Sequence, residues 1–326
     1  MNEHVREISG QLEAHLNAFI AQKQALGYKY YAEEESLRRF LRFVKTQELQ
    51  SCQLTKELID SYGNPHQNET SKSRANRISD VRQFMKYLNN YGVKAYIPMP
   101  LKKVQSDFKP YIFTSEEVYR IIIAADSIKP HSRYNCAEVY PVLFRMLYGC
   151  GLRISEALDL RVSDVNLNEG TIVVRSGKFN KSRMVVMAPS LTGCCVDLKQ
   201  KIHPNSTEID FFFKNRDGSR RSKGTVSSRF KELLWESDIP YRGKGYGPRL
   251  HDLRHSFCCH SLKQMSDAGI DLYCALPVLS AYVGHSSISA TEQYLRLTEQ
   301  FYPDITGRVG KTSLQVYPEV YKIEAN

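Results

Sequence analysis

Apolar residues over the first ninety positions recur at the spacing of helices. Ile8, Leu12, Leu16 and Phe19 form one stripe of a helix starting near Val5, and Gly27 stands where a left-handed cap would end it. Leu37, Phe40, Leu41 and Val44 line one face of a second helix, with Arg38, Arg39 and Arg42 mostly on the other. A third, shorter helix is predicted over 55–62, and a fourth carries Ile78, Val81, Met85 and Leu88. The periodicity then lapses. YIPMPLKKVQSDFKPYIF, residues 96–113, holds three prolines together with Lys102, Lys103 and Lys109, as an extended basic linker would. Thr114 and Glu117 next form a capping-box pattern ahead of Val118, Ile121 and Ile122, where a second domain begins. That domain reads as helical with one exception. TIVVRSGKFNKSRMVVMAP holds two β-rich runs, 171–175 and 184–187, around a polar turn with Lys178 at or beside its tip. The expected architecture is mainly α with a small β-hairpin: an all-helical module (1–97), a basic linker (98–112), an α+β domain (113–310) and a tail (311–326). No internal repeat is visible.

Composition narrows the function classes. A chain of 326 residues and 37.5 kDa has room for two domains with proper cores. No apolar run approaches a membrane span, and MNEHVREISG lacks the apolar core of a signal peptide, so a cytoplasmic protein with no membrane partner is expected. The formal net charge of +10 favours polyanionic partners, although a modest basic excess is equally an ordinary soluble surface. Split at Gln105, each part carries about +5, so the excess is not one basic tail. A second basic loop, KNRDGSRRSK, sets Lys214, Arg216, Arg220, Arg221 and Lys223 around a turn. Eight cysteines form no C-x-x-C pair, and four of them stand as two adjacent doublets; buried free thiols are expected rather than structural zinc.

Three segments carry the candidate chemistry: GLRISEALDL with Arg153, LHDLRHSF with His251, Arg254 and His255, and VGHSSISATEQYLRL with His285 nine residues before Tyr294. Arginine forks offer permanent, bidentate compensation for charge on phosphoryl oxygens. A phenol that attacks phosphorus must lose its proton, and the leaving oxygen must gain one. Two arginines, histidines and a tyrosine therefore suffice to cut and rejoin a phosphodiester without a metal. Each residue has a bland alternative. Arg153 and Arg254 are candidates for surface pairs with Glu156 and Asp252, and Tyr294 is one of 20 tyrosines. His251 and His255 stand i, i+4 as in an H-E-x-x-H zinc site, but Asp252 replaces the glutamate and no third ligand is apparent, so no metal and no cofactor are expected.

Taken together, in this order and spacing, these segments resemble the tyrosine recombinase family, also called the phage integrases. The resemblance covers residues 113–297; the N-terminal module fits the family's core-binding, DNA-binding domain in general character. It implies an α+β catalytic domain in which Arg153 and Arg254 stabilise charge on the phosphate. Lys178, on the hairpin, protonates the leaving 5′ oxygen, with Lys181 as its rival. His251 takes the phenol proton, His285 holds the phosphate or orients Tyr294, and Tyr294 is the nucleophile. His255, next to Arg254, either touches phosphate or orients the helix. The product is a 3′-phosphotyrosyl bond and a free 5′ hydroxyl, rejoined without ATP. Implied partners are double-stranded DNA recombination sites and a homo-tetramer exchanging strands through a Holliday junction, with an accessory directionality factor or partner recombinase beside it. The expected location is the cytoplasm, at the nucleoid. Thirty residues separate Arg254 from His285, longer than the spacing common in chromosome-resolving members. LPVLSAYVGHSSISATEQYLRL looks closer to integrases of transposons and other mobile elements, so a mobile-element recombinase is expected. The rival functions are a type IB topoisomerase, which shares the phosphotyrosine chemistry, and a non-catalytic DNA-binding regulator on the same scaffold.

Overall fold

The computed structural model describes residues 3–47, 53–102, 109–175, 182–241, 243, 247–285, 294 and 297, with the side chains of 3–8 excepted. Among these the protein is mostly helical, as the pattern predicts, with one small three-stranded sheet. Chain contacts divide the described residues into two units, one up to Lys102 and the other from Lys109 onward.

The first unit contains helices α1 (Glu3–Ala25), α2 (Tyr31–Thr46), α3 (Lys56–Gly63) and α4 (Ser71–Asn90). The apolar stripes face one another: Leu16 and Phe19 of α1, Leu37 and Phe40 of α2, and Val81 and Phe84 of α4 are buried in one cluster. Gly27 follows α1 with φ 84°, a left-handed conformation that costs glycine little. Thr55 and Thr70 cap α3 and α4 by accepting from backbone N–H groups three residues on. Arg77 is buried between α3 and α4, where it pairs with Glu69 at 2.7 Å and donates to the carbonyls of Tyr62 and Asn64.

The second unit opens on Ile112 and Phe113, both buried. The Phe113 N–H donates to Ser256 Oγ at 2.8 Å. The capping box forms at Thr114 and Glu117 and starts α5 (Ser115–Asp126). There follow α6 (Cys136–Gly149), α7 (Ile154–Asp159), β1 (Val165–Asn166), β2 (Thr171–Val174), β3 (Arg183–Val186), α8 (Pro189–Ile202), α9 (Lys223–Glu236), α10 (Asp252–Asp267) and α11 (Leu272–Val283). The sheet is antiparallel in the order β1-β2-β3, with Ile172 opposite Val185. The expected hairpin is present, and β1 adds a two-residue strand too short for alternation to reveal. Its turn, with Lys178 and Lys181, lies outside the described residues.

Two apolar clusters set the site's position. One surrounds α6, whose Leu143, Phe144 and Met146 are fully buried. The other joins α10 to α11 through Cys258, Cys259, Leu262, Leu276 and Leu279, and it includes Tyr294 and Leu297. The basic loop at 214–223 is largely spent inside this unit. Lys214 pairs with Asp210 and Arg220 with Asp159, and Arg216 donates to the Ser132 carbonyl. Arg221, 4% exposed, bonds Asn135 and lies over the Tyr140 ring. Cys150, Cys195, Cys258 and Cys259 are buried free thiols, and burial pushes each of Cys150 and Cys195 up to about 12. Among the described residues no group of three or more potential ligands is placed to hold a metal ion, and no helix is long and apolar enough to cross a membrane.

Candidate active site

The site begins at the turn between α6 and α7. Gly151 has φ 58°, and a Cβ there would collide with the Phe257 ring, so this turn accepts only glycine. Arg153 stands at the N-cap of α7 with extended backbone, and Glu156, three residues on, folds back over it. One Glu156 oxygen accepts the Arg153 N–H at 2.9 Å and the other accepts its Nη1 at 2.7 Å. Arg153 Nη2 donates to the Gly284 carbonyl at 3.0 Å. A helix start and a helix end thus share one guanidinium.

Arg254, on α10, is 1% exposed. Its partners are carbonyls: Nη1 donates to Gly151 at 2.7 Å and Nη2 to Val283 at 2.6 Å. The pair with Asp252 does not form; that carboxylate pairs with Arg249 at 3.0 Å. Neutral partners satisfy the hydrogen bonds of Arg254 without cancelling its charge. The nearest carboxylate oxygen, on Glu156, is 3.9 Å away. Burial, then Arg153, pulls the Arg254 pKa below the ordinary arginine value. A third guanidinium, Arg183 at the start of β3, meets both Glu156 oxygens at 3.1 and 2.8 Å. Burial alone would raise the Glu156 carboxyl, but the hydrogen bonds from Arg183 and from the Arg153 N–H outweigh it and hold it down at about 2. Three arginines therefore face a single carboxylate, a local surplus suited to an anion.

The histidines lie against this surplus. His251 is the N-cap of α10 and His255 follows one turn later, their rings edge to face with centroids 4.8 Å apart. His285 follows α11, its N–H bonded to the Ser280 carbonyl at 3.0 Å beside Gly284, whose φ is 68°. Burial first, and the neighbouring arginines after it, lower His251 to about 4 and His285 to about 4. Burial, then His251 and nearby arginines, lowers His255 to about 3. Near pH 7 all three imidazoles are neutral, the state in which a ring can accept a proton. Tyr294 is 3% exposed, and its Oη lies 2.9 Å from His255 Nδ1. Its ring stacks on His285, with centroids 5.7 Å apart and planes 12° from parallel. Burial, then Cys258, pushes the phenol above its ordinary pKa, so it holds its proton until something takes it.

Of the residues nominated from sequence, Arg153, His251, Arg254, His285 and Tyr294 are gathered here, and Lys178 lies outside the described residues. His255 rather than His251 meets the phenol oxygen. Sequence reasoning missed Arg183 as part of the site and read Glu156 as a surface partner of Arg153. The spacing of Glu156, three residues after an N-cap, was its available signal. Arg183 offered none, standing one residue before the predicted run 184–187.

Comparison with known proteins matches residues 112–300 to the Phage integrase family. A putative integrase/recombinase of Sinorhizobium fredii, y4rB, is 27% identical over 85% of this chain and 90% of its own length. Tyrosine recombinase XerD of Staphylococcus epidermidis is 27% identical over 85% of this chain and 88% of its own. Among solved structures, the Tn1549 transposon integrase in complex with a circular intermediate DNA has a TM-score of 0.61 at 16% identity, covering 86% of this chain and 94% of its own. A lambda integrase dimer bound to a core site has a TM-score of 0.59 at 16% identity, covering 85% and 96%. These two structures share the fold.

Proposed function

This chain belongs to the phage integrase family of tyrosine recombinases, and from that premise we propose that it is the recombinase of a mobile element, cutting and rejoining DNA at specific sites through Tyr294. The observation that carries the mechanism is the convergence on one place of Arg153, Arg254, His285 and Tyr294, with His255 Nδ1 2.9 Å from the phenol oxygen. In the proposed reaction the non-bridging oxygens of the scissile phosphate lie against Arg153 and Arg254. Tyr294 Oη attacks phosphorus as its proton passes to a neutral imidazole. The contact favours His255 for that step, with His251 and His285 beside the phosphate. The P–Oη bond forms, the P–O5′ bond breaks, and the 5′ oxygen takes a proton. Lys178 is the proposed donor, from its place in the sequence. The 3′-phosphotyrosyl bond conserves the energy of the broken linkage, so rejoining by a 5′ hydroxyl needs neither ATP nor metal.

The mobile-element reading is supported by the thirty-residue spacing between Arg254 and His285 and by the similarity to a putative integrase/recombinase along most of both chains. The helical module, 1–97, serves as the core-binding domain and 113–310 as the catalytic domain, joined by 98–112. The functional assembly is a homo-tetramer on two duplexes that resolves through a Holliday junction, in the cytoplasm at the nucleoid. An accessory directionality factor or partner recombinase sets the outcome.

The test is covalent capture. The protein is mixed with sheared genomic DNA of its source, quenched in detergent, and the DNA that stays attached is sequenced. A small set of sites, each linked through its 3′ phosphate and absent with Tyr294→Phe, is expected. No attached DNA, or equal amounts with the phenylalanine variant, would refute the mechanism.

A further inference from the structure

Arg183 has no task in the chemistry just described, yet its side chain meets two separate segments, α7 and the end of α11. Nη1 and Nη2 donate to the two oxygens of Glu156 at 3.1 and 2.8 Å, so that carboxylate has one orientation left to it. Nε donates to the Tyr282 carbonyl at 2.8 Å, at the end of α11. Nη1 also occupies the space beside Gly284, 2.8 Å from where a Cβ would stand. Gly284 therefore has two reasons to be glycine: its φ of 68° and the guanidinium packed on it.

Each contact leads to a residue aimed at the phosphate. Glu156 holds Arg153 through Nη1 and through its backbone N–H. The Gly284 carbonyl holds Arg153 Nη2, and the residue after Gly284 is His285. Arg183 itself is directed at Glu156 and the backbone of the 282–284 turn. We propose that Arg183 is a positioning residue for strand cleavage: by clamping Glu156 and the end of α11 to β3, it fixes the aim of Arg153 and His285. The proposal rests on the cleavage reading above and concerns how that site is held in register.

The experiment measures single-turnover formation of the protein–DNA adduct on nicked duplexes carrying a captured site, with protein in excess over its half-saturating concentration. Arg183→Ala is expected to slow adduct formation about a hundredfold, the scale of a small misplacement of reacting groups. Its half-saturating concentration should stay within about threefold of wild type, since DNA contacts made elsewhere persist. Methylguanidinium at tens of millimolar should restore part of the lost rate, which a general loss of folding would not allow. Arg183→Lys, with one donor group in place of a fork, should fall between the two. Gly284→Ala should mimic Arg183→Ala, and in the Arg183→Ala background it should cost only the strain of its positive φ.

A wild-type rate in Arg183→Ala overturns the proposal. So does a loss that appears wholly as weaker DNA binding, which would place Arg183 on the DNA. If Arg183→Ala fails to fold, Arg183→Lys and Gly284→Ala decide: full rates in both overturn the proposal, and slow adduct formation with retained binding supports it. If wild type itself forms no Tyr294-dependent adduct, the cleavage reading falls and this one with it. An adduct in wild type with an indifferent Arg183 removes this proposal alone.

Discussion

Glu156 carries more of the site's order than any other carboxylate, and Glu156→Gln tests how much. The substitution keeps the shape and removes the charge. Glu156 receives Arg153 at 2.7 Å and Arg183 at 2.8 Å and lies among buried groups. Burial pulls its pKa up, but the Arg183 hydrogen bond and the Arg153 backbone N–H pull harder, leaving it at about 2 against an ordinary 4.5. At 1.36 kcal/mol per unit, that depression stabilises the fold by up to about 3 kcal/mol near neutrality, and glutamine, which still accepts from one guanidinium, leaves a net loss of about 2. A depressed acid contributes fully above its unfolded pKa and loses the contribution as pH falls through the folded value. The gap between wild type and variant should thus be full at pH 6–7 and shrink progressively from about pH 4.5 towards about pH 2. Urea titrations at a series of pH values, following the unfolding of the second unit, measure it. A gap that is absent at pH 7, or one that does not change down to pH 3, would refute the argument, since the first denies the ion pairs and the second denies that charge is their basis.

The remaining expectations concern titration. His251, His255 and His285 should show no protonation between pH 8 and 5 in the DNA-free protein, because burial and the arginines hold them at about 4, 3 and 4. Imidazole NMR checks this with one His→Gln variant for each assignment, and a midpoint near 6.5 in any of the three would place that ring in water. In the helical unit, burial, opposed by Ser36 and aided by Glu33, raises Asp80 to about 6. A raised acid favours folding below its unfolded pKa of 3.8 and loses that contribution as pH climbs through about 6, so Asp80→Asn should stabilise by up to about 3 kcal/mol at pH 7.5, by little at pH 4 and by nothing near pH 2.5. Equal melting points for the two proteins at pH 7.5 would contradict it.

What could be read from sequence divides along a physical line. Periodicity reports which face of an element is buried, so α2 and α4 were legible, and the apolar residues named for them are all buried, joined in α4 by Phe84 and Tyr87. Two-residue β1 has no period to detect. Spacing along one helix excludes some pairs: Asp252 and Arg254 stand i, i+2 and do not face each other, which is why Arg249, three residues before the aspartate, takes it. Contacts between distant segments leave no such trace. His251 and His255 share a face of α10, and only the approach of Tyr294, 39 residues beyond His255, selects between them. Arg183 and Glu156, 27 residues apart, meet because β3 and α7 are brought together by tertiary packing.

Charge shows the same division, and it bears on mechanism. The formal surplus of +10 favours DNA only by its total. The structure spends many cations internally, as in Arg77 with Glu69 and Arg145 with Asp126, while Arg153, Arg183 and Arg254 share Glu156. With the histidines neutral, Arg153, Arg183, Arg254 and Glu156 give the site a net charge of about +2 among the described residues, held by carbonyls that orient the guanidiniums without cancelling them. A phosphodiester brings one negative charge to it, and attack by a phenol that has given up its proton builds a phosphorane with two. On the proposed mechanism the arginine surplus, joined by the imidazole that has taken the phenol's proton, meets the second state with more positive charge than the first, so the attraction grows along the reaction. Binding energy that appears only as charge develops raises the rate of cleavage without tightening the hold on uncut DNA.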